Sequence, residues 1–163
     1  MTLRQFLLSG LLWFSAIGCG LMAGVYFAFS AFIMTSLARI APAAGIAAMN
    51  AINVEIVRSL FMPLFMGTTL AAALLAGRAV FRWSEPGSAV LLAGGVLYVA
   101  GMFIVTAAFN VPLNDALAAV DPSSAEGTAL WTTYLRDWTL WNHVRTLASL
   151  TASLLFVAAI AAR

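Results

Sequence analysis

The stretch SAVLLAGGVLYVAGMFIVTAAFN, residues 88–110, decides the fold class because it contains no charged side chain and few polar ones. Uncharged, mostly apolar runs of about 18 residues or more are typical of membrane-spanning helices. A membrane-spanning strand would alternate apolar with polar residues, and this run is continuous. The stretch therefore predicts a transmembrane helix.

The rest of the chain repeats this pattern. Three more charge-free runs lie between Arg4 and Arg39, between Arg58 and Arg78, and between Arg145 and Arg163. The 163 residues are 63% hydrophobic and 9% charged, which is too little polar surface to coat a soluble domain. We predict an all-α, antiparallel membrane four-helix bundle forming one domain, 1–163, with spans near residues 6–38, 46–77, 88–110 and 138–162.

The longest connection lies between the third and fourth spans. Pro112 closely follows Asn110, so the third span is expected to end at Asn110. Further on, Trp131, Tyr134 and Trp138 stand at helical spacing. This spacing predicts a short amphipathic helix on the outer membrane surface, with its rings in the interfacial belt.

Pro63 lies inside the predicted second span. A proline in a helix interior bends the helix and frees a carbonyl, here that of residue 59. Either a packing bend or an opened cavity would explain it, and the packing bend is the favoured interpretation.

The distribution of arginine, the only basic residue type besides one histidine, predicts the orientation. Antiparallel spans place Arg4, Arg78, Arg82 and Arg163 at one end of the bundle. The positive-inside tendency assigns this end to the cytoplasm. We therefore expect an integral membrane protein, in a bacterial inner membrane, with both termini cytoplasmic. No basic patch indicates a nucleic-acid partner.

Polar side chains gather at the other end of the spans. Arg58 and Arg145 each lie roughly 27–30 Å from the cytoplasmic end at about 1.5 Å per residue. The gathered residues are Asn50, Asn53, Glu55, Arg58, Asn110, Asn114, Asp115, Asn142, His143 and Arg145. Polar groups at this depth need partners, which favours a ligand pocket open from the outer side. Membrane anchoring by snorkelling arginines and a simple Glu55–Arg58 ion pair stay open as alternatives.

One stripe of the last span indicates which side chains face the interior. Trp138, Asn142, Arg145 and Ser149 follow helical spacing, and an outward stripe at this depth would be apolar. Arg145 is therefore expected inside the bundle with a carboxylate partner. Asp115 is the favoured partner, since Pro112 should turn the loop back over the bundle, and Asp137 and Glu55 are the alternatives.

Metal-ligating residues are scarce. The chain has one histidine and one cysteine, and no carboxylate stands at ligand spacing from His143. A zinc or di-iron centre is therefore not predicted. A haem or a copper ion held by His143 alone stays open.

Four stretches resemble the anthrone oxygenase-like family of small four-helix membrane proteins: AGVYFAFSAFIMTSLAR, AAMNAINVEIVRSLFMPLFMGT, FNVPLNDALA and WTTYLRDWTLWNHVRTLASL. Fungal members of that family oxidise anthrones to anthraquinones, and most bacterial members have no assigned activity. The resemblance implies a polar pocket that uses Asn53, Arg58, Asn110, Asn114, Trp138, Asn142, His143 and Arg145.

The implied activity is oxidation of a flat, apolar phenolic or quinone-like substrate with dioxygen, without a predicted cofactor. Such a site needs a general base and donors for an oxyanion. The predicted catalytic residues are His143 as base, with Arg145 and Arg58 stabilising the anion. The predicted substrate-binding residues are Asn53, Asn110, Asn114, Trp138, Asn142 and Asp115.

Two other functions are compatible with the same residues. The polar cluster suits a non-catalytic module that binds or transports a lipid or quinone headgroup. It also suits a structural membrane subunit whose polar outer face docks on a partner. A homo-oligomer stays open in each case.

Overall fold

The computed structural model of the protein describes residues 2–162, and all regular structure in that range is helical. The helices are α1 (Leu3–Leu37), α2 (Pro42–Arg58), α3 (Phe61–Phe81), α4 (Ser88–Ala119) and α5 (Ala125–Ala161). By length and composition, α1, α3, α4 and α5 are able to cross a membrane. The prediction of an all-α membrane four-helix bundle is confirmed.

The four long helices pack as one bundle. α1 lies along α5, α3 along α4 and α4 along α5, and α1 also contacts α3. A short turn joins α3 to α4, so these two neighbours run antiparallel. The main apolar core lies between the four helices and includes Leu12, Met22, Leu75, Tyr98 and Phe156.

The second predicted span, 46–77, is not one helix. α2 ends at Arg58, and Ser59 is extended, with φ −93° and ψ 176°. The Ser59 hydroxyl donates to the Ile56 carbonyl at 2.9 Å and accepts from the Phe61 backbone N–H at 3.1 Å. Pro63 lies in the first turn of α3, where its missing N–H needs no partner. The expected bend is therefore a complete break in the helix.

The third span continues past its predicted end at Asn110. Two π-helical turns, Val99–Ile104 and Thr106–Asn110, precede Pro112. Pro112 stands at the start of the α-helical segment that follows, where a proline is tolerated. The prediction that Pro112 ends the helix is wrong. The π-helical turn Thr106–Asn110 shifts the backbone hydrogen bonds by one residue before Pro112, and the helix continues.

The predicted surface helix in the third connection is instead the beginning of α5. The Ser124 hydroxyl caps α5 by accepting from the Gly127 N–H at 2.9 Å. Trp131, Tyr134 and Trp138 are buried rather than interfacial, because they form a second core cluster with α1, α2 and α4. The short helix outside the four spans is α2, which precedes the second of them.

Arginines gather at the turn between α3 and α4. The Arg78 guanidinium donates to the Glu85 carboxylate, and Arg82 lies 3.9 Å from the same carboxylate. The hydrogen bond from Arg78, with the positive charges of Arg82 and Arg4, holds the pKa of Glu85 below its ordinary value. Arg163 lies outside the described residues. That this end faces the cytoplasm stays a prediction.

Gly95, a glycine of α4 that faces α3, provides a test of the packing. A Cβ added at Gly95 would lie 2.6 Å from the Ala72 carbonyl oxygen and 2.6 Å from the Ala76 Cβ. We expect Gly95→Ala to destabilise the bundle by about 1–3 kcal/mol, because backbone must move to relieve the clash. Thermal unfolding in detergent measures the effect.

Gly24→Ala is the matched control, since a Cβ there meets no described heavy atom within 4 Å. It should leave the melting temperature unchanged or slightly raised, because alanine has the higher helix propensity. Equal melting temperatures for the two variants would contradict the packing of α3 on α4.

Candidate functional site

Arg145 lies in the interior of the bundle, with 5% of its surface exposed. Its Nη2 donates to Asn142 Oδ1 at 2.8 Å, and its Nη1 donates to Thr106 Oγ1 at 3.4 Å. The stripe of polar residues on the last span therefore predicted correctly that this side chain faces the interior. The site is built around it.

Two aromatic rings enclose the guanidinium. Its Cζ lies 4.5 Å from the centroid of the Tyr26 ring and 4.9 Å from that of Trp138. The negative face of an aromatic ring attracts a cation, most strongly where water is excluded. The rings and the neighbouring polar oxygens thus stabilise the positive charge.

No carboxylate of residues 2–162 lies within ion-pair distance of Arg145. The predicted partner Asp115 is exposed, because α4 continues through Pro112 and carries Asp115 away from the bundle axis. Asp137 pairs instead with its neighbour Arg136 at 2.6 Å, and Glu55 lies 3.9 Å from Arg58. The prediction of a carboxylate partner for Arg145 is wrong.

Asn142 fixes the arginine to α1. This fully buried amide donates from Nδ2 to the Tyr26 carbonyl and to Ser30 Oγ, both at 2.7 Å. Its Oδ1 is the acceptor for Arg145. Because both ends of the amide are used, the position of Asn142 determines where the guanidinium stands.

His143 lies on the outside of α5. Its side chain is exposed, and its Nδ1 lies 2.9 Å from Ser30 Oγ, the hydroxyl that also accepts from Asn142. The histidine is thus connected to Arg145 only through Ser30 and Asn142. Its role as a base stays a prediction, without direct access to the space beside Arg145.

A cavity of about 210 Å³ opens beside Arg145. Its walls are mostly apolar and include residues on both sides of the break between α2 and α3, namely Ile56, Val57, Phe61 and Met62. The break therefore forms part of the cavity, the alternative that the sequence left open for Pro63. The polar lining groups are Tyr26, Asn53, Thr106, Asn114, Trp138 and Arg145.

Three buried donors on residues that line the cavity have no acceptor among the described residues. They are the Nε–H of Arg145, the indole Nε1–H of Trp138 and the amide Nδ2 of Asn53. All three groups donate hydrogen bonds and cannot accept them. Buried polar groups are rarely left unpaired, so the cavity is suited to a ligand that presents an acceptor oxygen.

A wider polar vestibule of about 510 Å³ adjoins the cavity. It contains Asn50, Arg58 and Asp115, and it shares Asn53, Val57 and Asn114 with the cavity. The ion pair of Arg58 with Glu55 is mostly exposed and therefore contributes little stability. Arg58 and Asp115 thus lie at the mouth of the cavity, apart from Arg145.

The remaining predicted asparagines tie helices together. Asn110 is buried and donates to the Trp138 carbonyl at 3.2 Å. Asn114 accepts from the Tyr134 hydroxyl at 2.8 Å. These bonds hold α4 against α5, and Asn110 lies under Trp138 without lining the cavity.

Tyr26, Ser30 and Thr106 belong to the site but were not predicted. Ser30 and Thr106 each stand in a π-helical turn, Phe29–Ile33 and Thr106–Asn110. π-Helical turns are frequent at functional sites. The spacing of Tyr26 and Ser30 on one face of an otherwise apolar helix was the available signal.

Metal-binding groups do not converge in the described part of the chain. Within residues 2–162, no three His, Cys, Asp or Glu side chains are placed to share an ion. A haem or a copper ion bound through the single ligand His143 stays an open alternative to the prediction of no cofactor.

A family model described as anthrone oxygenase matches residues 53–155, which is more than half of the chain. The matched range runs from within α2 into α5 and contains the break, the vestibule lining except Asn50, and Arg145. Tyr26 and Ser30 lie before it. Neither a curated protein nor a solved structure matches the chain.

Asn142 provides a test of the site's construction. We expect Asn142→Leu to lower the melting temperature, because it removes two bonds to α1 and leaves the Nη2 of Arg145 without its acceptor. An unsatisfied buried group costs about 1–3 kcal/mol, and more when it is charged.

Asn50→Leu is the matched control. The half-buried Asn50 makes one long hydrogen bond, 3.4 Å to the Leu117 carbonyl, so its replacement should have a small effect on stability. Equal melting temperatures for the two leucine variants would contradict the role of Asn142 in holding Arg145 against α1.

Proposed function

The chain belongs to the anthrone oxygenase family, and from that premise we propose that it is an integral membrane oxidoreductase. The proposed substrate is a flat, apolar phenolic or quinone-like molecule, oxidised by dioxygen in the cavity beside Arg145. The observation that carries the proposal is a buried guanidinium that lines an apolar cavity and has no carboxylate partner among residues 2–162.

The charge of Arg145 explains why the substrate should carry a developing oxyanion. A buried cation without a partner favours any ligand that brings negative charge to it. An anthrone is acidic for a C–H compound, since the electron pair left by the proton is delocalised onto its oxygen as a phenolate. Donors fixed at that oxygen lower the free energy of the anion, as in an oxyanion hole.

Arg145 Nε and Trp138 Nε1 are the proposed donors to the oxyanion. Hydrogen bonds to Thr106 and Asn142 hold the guanidinium in place. We propose that Asn53 and Asn114 orient the outer edge of the substrate, where the cavity meets the vestibule. Arg58 acts at the vestibule, where it attracts and aligns the substrate.

The apolar walls suit the second reactant, dioxygen. An electron-rich, delocalised carbanion reacts with dioxygen directly, and the oxygen adds to the carbon that lost its proton. Loss of the remaining hydrogen then breaks the O–O bond, leaving a ketone and releasing water. The substrate supplies all the electrons for this reduction, so the reaction as written needs no metal, flavin or external reductant.

A non-catalytic module is the alternative. It is supported by the lining of the cavity, which within the described residues contains no carboxylate and no imidazole. A quinone or lipid headgroup would satisfy the same donors through its oxygens. Native mass spectrometry of gently extracted protein identifies this case by a retained ligand without oxygen consumption.

Turnover of anthrone tests the enzyme proposal. Purified protein in nanodiscs should convert anthrone to anthraquinone and consume one dioxygen per substrate. Arg145→Met should lower kcat/KM by roughly 10²-fold or more, the effect typical of losing an oxyanion donor. Its melting temperature should fall, because the buried Asn142 Oδ1 loses its donor, so turnover is compared at a temperature at which the variant is folded by circular dichroism.

Arg136→Met is the matched control on the same helix, because Arg136 is exposed and paired with Asp137. It should retain wild-type turnover. Equal activity of the Arg145 and Arg136 variants would overturn the anion site, and no turnover by the wild-type protein would favour the binding module.

A further inference from the structure

Asp115 occupies a distinct position at the mouth of the cavity. It lies on α4 next to Asn114, and it lines the vestibule, as Asn114 does. Asn114 also lines the cavity and so connects the outer and inner spaces, with Asp115 beside it on the outer side. Asp115 is the one carboxylate in the vestibule lining among the described residues, and it has no ion-pair partner there.

The proposed reaction needs a proton acceptor that the cavity itself does not offer. A general base must reach the proton it removes, directly or through one water. The unpaired Arg145 Nε and Trp138 Nε1 are donors, which suit the oxygen of the substrate and cannot accept its proton. The base must therefore approach the reacting carbon from another direction.

The shape of an anthrone indicates the direction from which the base approaches. Its carbonyl oxygen and its acidic methylene group lie on opposite edges of the central ring. With the oxygen held by Arg145 and Trp138 at the inner end, the methylene points away from them. The cavity meets the vestibule at Asn53, Val57 and Asn114, and in the proposed complex the methylene is placed at this junction.

We propose that Asp115 is the catalytic proton acceptor, taking the methylene proton of an anthrone-type substrate whose oxyanion is held by Arg145. This assignment rests on the proposed function and deepens it. A carboxylate is an effective base for a carbon acid when fixed donors stabilise the oxyanion formed. The vestibule also gives the carboxyl group access to water, through which it can exchange its proton.

The atoms and electrons of the reaction balance with the substrate, dioxygen and the Asp115 carboxylate. The C–H bond breaks, the proton goes to an Asp115 oxygen, and the electron pair enters the conjugated anion. Dioxygen forms a C–O bond, and the peroxide takes the proton back as a hydroperoxide. Asp115 then removes the second methylene proton, the electron pair forms the ketone, and the O–O bond breaks. The released hydroxide takes that proton and leaves as water.

Neighbouring titratable groups are less well placed. His143 lines neither the cavity nor the vestibule, and its Nδ1 lies against Ser30. Glu55 is absent from the vestibule lining and lies against Arg58, whose guanidinium also faces the vestibule. Among the described residues, Asp115 is the carboxylate that lines the vestibule, and it follows the junction residue Asn114 in the chain.

Anaerobic hydrogen exchange isolates this step from oxygen chemistry. Anthrone is incubated with the purified protein in D₂O, and loss of the methylene proton signal is followed by NMR against the spontaneous rate. Asp115→Asn should lower the protein-catalysed exchange by roughly 10²–10⁴-fold, the contribution typical of a general base. The affinity for a hydroxyanthraquinone, read from tryptophan fluorescence, should change little.

Chemical rescue and a matched control separate a base from a structural role. Asp115→Ala should regain exchange when formate or acetate is added, because a free carboxylate can occupy the vacated space. Asp121→Asn, an exposed aspartate in the turn before α5, should exchange like the wild type.

The outcomes distinguish the assignment of Asp115 as base from the broader proposal that the protein is an oxygenase. Wild-type exchange by Asp115→Asn overturns the assignment of Asp115 and leaves the oxygenase proposal standing. Loss of exchange in His143→Ala together with its retention in Asp115→Asn identifies the histidine as the base and also overturns it. A wild-type protein that neither exchanges nor turns over anthrone overturns both.

Discussion

The guanidinium of Arg145 is a cation inside an apolar bundle, and none of residues 2–162 provides a counter-ion for it. Removing a charge from water is costly unless hydrogen bonds and nearby charge replace the lost solvent. For Arg145 the replacement comes from Asn142, Thr106 and the faces of two rings. These partners come from α1, α4 and α5, so the arrangement that stabilises the guanidinium also fixes the helices around it.

Charge-free runs predicted the four spans because membrane insertion depends mainly on average apolarity over a helix. Local hydrogen bonding does not appear in that average. The sequence therefore did not show that α2 and α3 separate at Ser59, or that a π-helical turn lets α4 pass Pro112. Trp131 and Trp138 were expected at the membrane interface, where tryptophan is common, but the bundle extends far enough to bury them.

The interior stripe located Arg145, Asn142 and Trp138 correctly, since helical spacing fixes which side chains share a face. It also explains the position of His143, which is two residues from Arg145 and therefore on nearly the opposite side of α5. Asp115 was misplaced for a different reason, because its position depended on how α4 passes Pro112. Ser30 was missed, since a lone hydroxyl in an apolar helix usually bonds to its own backbone.

Two features together determine which ligands the cavity selects. These are the break between α2 and α3 and the unpaired donors. At the level of Arg145, the second span does not continue as a straight helix, and the cavity takes its place beside the other three. An apolar ligand without oxygen would fill this space but leave Arg145 Nε and Trp138 Nε1 unsatisfied. Sites built around buried donors discriminate strongly against such ligands, whereas an extra methylene changes affinity little. The affinity of a ligand for this cavity should therefore depend more on the position of its acceptor oxygen than on the shape of its rings.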